Sequence, residues 1–133
     1  DNATDADNVA KMLKALENVD LDAFFKILRV FFANIDYDIQ LKNEKYDQTI
    51  FFVIFRMLGL HIQTEVKTNV GRVYAVIHTD ERIFIFEFKL YDDAQSALKQ
   101  IVDNKYHEKF LAENKPITLV GAAFDPKTRN LET

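Results

Sequence analysis

The octapeptide Ile83-Phe84-Ile85-Phe86-Glu87-Phe88-Lys89-Leu90 constrains this chain more than any other stretch. Its β-branched and aromatic residues predict a strand, yet an acid and a base stand two positions apart near its end. Strand alternation puts Glu87 and Lys89 on the face of Ile83 and Ile85, and gives Phe84, Phe86 and Phe88 the other face. Opposite charges at the end of so apolar a strand are expensive to bury without partners or a purpose. Just upstream, Arg72-Val73-Tyr74-Ala75-Val76-Ile77-His78 is a second strand. The polar Thr79-Asp80-Glu81 between the two reads as a hairpin turn.

A chain of 133 residues with twelve Phe is long and apolar enough for one domain with a real core. It has no cysteine, which excludes disulfides and thiolate metal sites and suits a reducing compartment. A cytoplasmic protein without a membrane segment is the expectation, since no apolar run approaches the ~18–20 residues that cross a bilayer. The acidic start, Asp1 to Asp7, is not a secretory signal. An interior-looking first residue suggests a piece of something longer. The net charge of −4 is uneven: residues 1–48 hold ten acids and six bases, residues 49–133 eleven of each. That balance argues against indiscriminate nucleic-acid binding but leaves a basic groove on the later part open.

In chain order, Val9, Met12, Leu13, Leu16 and Val19 mark a short helix over 8–19. Asp20 or Asp22 can cap a second helix, Leu21 to Ala33, with Leu21, Phe24, Phe25, Leu28, Phe31 and Phe32 inward. Residues 36–42 read as a polar link. Asn43 to Leu58 predicts a helix closed by Gly59, with Tyr46, Ile50, Val53, Ile54, Met57 and Leu58 inward. Glu44 lies in its first turn, either solvated there or aimed at a site on the adjoining sheet. Leu60 to Lys67 alternates as a strand, with Glu65 and Lys67 on one face. Asp92 or Asp93 can cap a helix running to about Phe110, with Ala94, Ala97, Leu98, Ile101, Val102 and Tyr106 as its buried stripe. Pro116 opens a strand over 117–124, and residues 129–133 begin a last one. The order, helices and then β-β-β-α-β with a final β, predicts a mixed α/β sheet with a helical crossover. His61, His78 and His107 lie on separate elements without ligand spacing.

Gly71-Arg72-Val73-Tyr74, Phe86-Glu87-Phe88-Lys89, Ala97-Leu98-Lys99-Gln100-Ile101 with Tyr106, and Val120-Gly121-Ala122-Ala123-Phe124-Asp125 together resemble the PD-(D/E)XK nuclease superfamily. More narrowly, they resemble the nuclease-like domain found after AAA-type ATPase domains in bacterial proteins of unknown function. The resemblance implies a restriction-endonuclease-like fold, a mixed central sheet flanked by helices. It also implies two regions: residues 1–35 as a helical segment packed on or linking from an upstream domain, and residues 36–133 as the nuclease-like domain. In such nucleases two acids hold Mg²⁺ or Mn²⁺, which polarises the phosphate and helps generate hydroxide, while the Lys stabilises developing charge.

By resemblance, Glu87 is the metal-binding acid, Lys89 the base or stabiliser, and Gln100 a further catalytic residue. Glu44, Glu65, Arg72, Tyr74 and Tyr106 are supporting, with Glu65 a candidate second metal ligand. Where the family pattern has Asp two residues after Gly-Arg, this chain has Tyr74. A phenol with a reference pKa near ~10 is a poor ligand for a hard cation and fills the space of a hydrated one. The resemblance therefore implies a degenerate nuclease-like domain, serving to bind nucleic acid or protein. Two alternatives stand beside it: an active metal-dependent phosphodiesterase on DNA or RNA using Glu65, Glu87 and Lys89, and a structural or protein-interaction domain of a larger ATPase.

Overall fold

The computed structural model describes residues 2–33, 44–69, 71–90, 93–125 and 130–132. Helices α1 (Asn2–Glu17), α2 (Leu21–Ala33) and α3 (Glu44–Leu58) precede strands β1 (Gln63–Asn69), β2 (Arg72–His78) and β3 (Ile83–Leu90). Helix α4 (Ala94–Asp103) and a 3₁₀ turn (Glu108–Glu113) then lead to β4 (Ile117–Asp125) and β5 (Asn130–Glu132). The strands lie side by side in chain order. Only β3 and β4 pair in parallel, and the chain between them crosses over through α4; the other neighbours are antiparallel. This is the mixed, helix-flanked α/β sheet that the sequence implies.

The phenylalanine face of β3 packs on α2 and α3, and α1 closes the same buried cluster. Phe86 meets the rings of Phe24 and Phe55 at 5.4 Å each, and Phe88 lies 4.5 Å from Phe51. These tilted aromatic contacts join a buried cluster with Val9, Met12, Leu16 and Leu28. On the opposite face, Val76, Ile83 and Ile85 form a smaller cluster with Ile101 and Phe110. Gly121 fixes how close α4 comes to this second face. A Cβ there would stand 2.5 Å from both the Ala94 carbonyl oxygen and the Leu98 backbone nitrogen, so the helix rests directly on β4. Gly121 is also the ladder partner of Glu87, and α4 is therefore seated beside that carboxylate.

Several boundaries and faces differ from the sequence expectation. Helix α1 starts at Asn2 and ends at Glu17. Val19 then takes a left-handed φ of 54° and stays exposed, while Ala15 joins the core. Asp20 caps α2, accepting from the Ala23 N–H at 3.0 Å. The buried stripe of α3 is Phe51, Ile54, Phe55 and Leu58; Val53 faces outward because the two aromatic residues rotate the stripe toward β3. Gly59 ends this helix without a left-handed φ. The N–H groups of Leu60, His61 and Ile62 bond back to Met57 and Leu58, which keeps them out of the ladder. As a result β1 begins at Gln63 rather than Leu60, which is 81 % exposed.

Helix α4 is capped by Asp93 but stops at Asp103, well short of Phe110. Lys105, in the left-handed region at φ 54°, bonds through its N–H to Val102, and the Tyr106 N–H bonds to Ile101. That pattern is a Schellman termination with Lys at the position glycine usually takes. Leu98 and Val102 are exposed, and Tyr106 lies beyond the helix rather than on its stripe. The expected link over 36–42 and the side chains of Phe32, Glu44 and Tyr46 lie outside the described residues.

Candidate functional site

The β2–β3 register brings four of the singled-out residues together. Tyr74 faces Glu87 across the ladder, and Arg72 faces Lys89 one step along the same side of the sheet. Glu87 is completely buried, in keeping with its place between two hydrogen-bonded strands and beneath α4. The Arg72 Nε donates to Glu87 Oε1 at 2.7 Å. The Arg72 Nη2 donates to the Tyr106 hydroxyl at 3.0 Å, and the Asn104 amide donates to the same oxygen at 3.3 Å. The Tyr74 and Tyr106 rings lie 4.6 Å apart, inclined at 56°. Glu87 Oε2 is buried with no hydrogen-bond partner among the described residues.

Burial pushes the Glu87 carboxyl above its ordinary value, against the opposing pull of Arg72 and Lys89. Burial also works against the Arg72 charge, but the bond and charge of Glu87 outweigh it and hold the guanidinium above its usual range. The Tyr74 phenol is pushed up to about 12, chiefly by burial and further by the nearby charge of Glu65. It is neutral at physiological pH. The pair Arg72–Glu87 thus supplies the ionic contact of the site, and the rings of Tyr74 and Tyr106 wall it.

The other singled-out residues sit further out. Glu65 is on edge strand β1, exposed, and pairs with Lys109 at 3.6 Å. Gln100 on α4 lines a separate depression of about 410 Å³ together with Lys89, Lys99 and Asp103. Glu44 begins α3, but its side chain lies outside the described residues. Among the described residues no group of three or more His, Asp or Glu is placed to hold a metal ion.

A cleft of about 460 Å³ opens on the β1 side of the same tyrosines. Its described walls include Lys67, Arg72, Tyr74, Lys105, Tyr106 and Lys109, with no carboxylate among the described lining residues. Sequence reasoning did not single out Lys67, Lys105, Lys109 or Asn104. The alternation of β1 does place Lys67 on the Glu65 face, which was the available signal. For residues 104–109 the expected helix hid it, because the chain turns sharply at Lys105.

Residues 42–133 match the PD-(D/E)XK nuclease superfamily, and the chain belongs to that superfamily. It is also similar to a protein of Azotobacter chroococcum mcd 1 described as an uncharacterised protein in the vnfD 5′ region, with 31 % identity over 112 residues. The overlap takes in 79 % of this chain and 22 % of that relative, so the chain spans less than a quarter of the relative's length. No solved structure matches the chain.

Proposed function

We propose that this domain is a non-cleaving member of the superfamily, in which Arg72 takes the neutralising role that a divalent cation has in the nucleases. The observation that carries this reading is the 2.7 Å contact between Arg72 Nε and the fully buried Glu87 carboxylate, opposite a neutral Tyr74. A hard cation needs several oxygen ligands, with carboxylates to balance its charge. Here the described donor set is one carboxylate already bonded to a guanidinium, with a phenol where the second acid would stand. Lys89 and Gln100, the remaining resemblance-assigned residues, would then have positioning or surface roles rather than catalytic ones. Glu65 faces Lys109 on the exposed edge strand, which favours a surface role over that of a migrated ligand. Membership of a larger, bacterial ATPase-type protein belongs to the same reading; the far greater length of the Azotobacter relative supports a larger protein.

Calorimetric titration of Mn²⁺ into this chain and into Tyr74→Asp tests the reading, alongside a cleavage assay on DNA and RNA. The chain itself should take up no Mn²⁺ at millimolar concentration and cleave neither nucleic acid, whereas Tyr74→Asp gains Mn²⁺ binding. Mn²⁺ binding by the unaltered chain that Glu87→Ala abolishes, with cleavage lost in Lys89→Ala, would establish the active phosphodiesterase instead.

A further inference from the structure

In a chain of net charge −4, the described residues lining the cleft beside Tyr74 include four cations and no acid, with Glu65 at its edge paired to Lys109. Arg72 is committed to Glu87, and Lys109 to Glu65 across an exposed 3.6 Å contact. Lys67 and Lys105 are exposed and have no acidic partner among the described residues. Between these cations the half-buried rings of Tyr74 and Tyr106 provide a π surface, held in place by the Arg72 and Asn104 bonds to the Tyr106 hydroxyl. The volume, about 460 Å³, falls within the roughly 300–1,000 Å³ of small-molecule sites.

We propose that this cleft binds a nucleoside phosphate, with the base against Tyr106 and Tyr74 and the phosphate on Lys67 and Lys105. Aromatic stacking tolerates any base, and lysines take phosphate as point charges. An acidic peptide would use the lysines but leave the exposed face of a tyrosine ring without a stacking counterpart. The ligand is either a free nucleotide or the unpaired terminal nucleotide of a strand, since both present the same base and phosphate. The backbone adds a second indication. Lys105 holds a left-handed position that glycine occupies without steric cost, and its side chain lines the cleft. The inference does not depend on loss of cleavage, because it needs no metal and is tested without one.

Calorimetry in EDTA at low salt would compare AMP, adenosine, inorganic phosphate, an acidic peptide, and a short oligonucleotide with and without a 5′-phosphate. AMP should bind, with adenosine and phosphate each weaker by about tenfold or more, the loss expected when one of two charge-assisted or stacking contacts is removed. Lys67→Glu combined with Lys105→Glu should weaken AMP at least as much. Lys105→Gly should raise the urea midpoint while weakening AMP; a purely structural Lys105 would raise the midpoint and leave binding unchanged, which overturns the proposal. AMP binding no tighter than phosphate or the acidic peptide, or indifferent to the charge reversals, overturns it as well. Preference for the 5′-phosphorylated oligonucleotide over its 5′-hydroxyl form upholds the proposal and assigns a strand end. Binding of AMP alone upholds it and assigns a free nucleotide.

Discussion

Removing Arg72 should harm the fold far more than neutralising Glu87, although both changes abolish the ion pair between them. In Arg72→Met the Glu87 carboxylate keeps its buried place between β2 and β4 but loses its 2.7 Å partner. Stranding a buried charge this way costs about 3–5 kcal/mol. Because the Arg72 side chain is 27 % exposed, some water can reach the vacated space, and the lower end, about 3 kcal/mol, is expected. In Glu87→Gln the amide oxygen can still accept from Arg72 Nε and the guanidinium can be hydrated from its exposed side, so the loss is about 1 kcal/mol, that of turning a charge-assisted hydrogen bond into a neutral-acceptor one. With a urea m-value near ~2 kcal/mol/M, Arg72→Met should lower the unfolding midpoint by about 1.5 M.

The pH dependence separates this cause from simple loss of packing. A carboxyl whose folded pKa is raised binds more protons folded than unfolded. Its contribution to stability is therefore fully present below the unfolded value near ~4.3 and is lost as pH rises through the folded value. Without Arg72 the opposing pull weakens and the loss on raising pH becomes larger. The deficit of Arg72→Met relative to the unaltered chain should be greatest near neutrality and shrink toward pH ~4, where Glu87 is protonated in both. Urea unfolding across that range reads it directly. A deficit that does not change with pH, or a Glu87→Gln variant as unstable as Arg72→Met, would refute the reasoning.

Gly121→Ala should destabilise by about 2–3 kcal/mol, an overpacking cost at the upper end because the new Cβ meets backbone atoms of α4 that cannot turn aside; unchanged urea unfolding would mean that α4 is not seated on β4. A tyrosine ionising well above the ordinary phenol value near ~10 should appear in a spectrophotometric titration and vanish in Tyr74→Phe. The contribution of Tyr74 to stability is full below the ordinary phenol value near ~10 and is lost as pH rises through about 12, so Tyr74→Phe should soften the alkaline loss of stability; an unaltered alkaline limb in that variant would count against a buried Tyr74.

The strands were legible because their signal is local. Arg72 to His78 and Ile83 to Leu90 have the bounds that β-propensity and the polar turn between them indicate, and alternation alone put Glu87 opposite the phenylalanine face. The helical faces were less legible: Ile50 packs on the core as expected, but the α3 pattern alone does not decide whether Phe51 and Phe55 or Val53 turn inward. That choice depends on the rings of β3, contacts distant in sequence. The end of α4 could not be read at all: Lys105 is not a residue that announces a left-handed turn, and Val19 ends α1 in the same unannounced way. The site inherited that blindness. Arg72 stood in the Gly-Arg motif, but its bond to Glu87 and its hold on Tyr106 depend on the β2–β3 register and on where α4 stops.

Charge counting ties the closed ionic site to the open cleft beside it. Among the described residues, two cations act on Glu87, Arg72 bonded to it and Lys89 nearby, against the one carboxylate. At an effective dielectric near ~20, a divalent ion about 4 Å from a guanidinium meets repulsion of roughly 8 kcal/mol, and a single carboxylate at that distance returns no more. Under the proposed reading a second acid would be needed to tip that balance toward a metal, and the position facing Glu87 across the ladder holds Tyr74. The same surplus of positive charge that disfavours a cation favours an anion on the accessible side, where Lys67 and Lys105 flank the tyrosine wall. Tyr74→Asp is therefore an informative substitution in both directions: it changes the anion count by one at the point where cation and phosphate preferences diverge, and it leaves Arg72 in place.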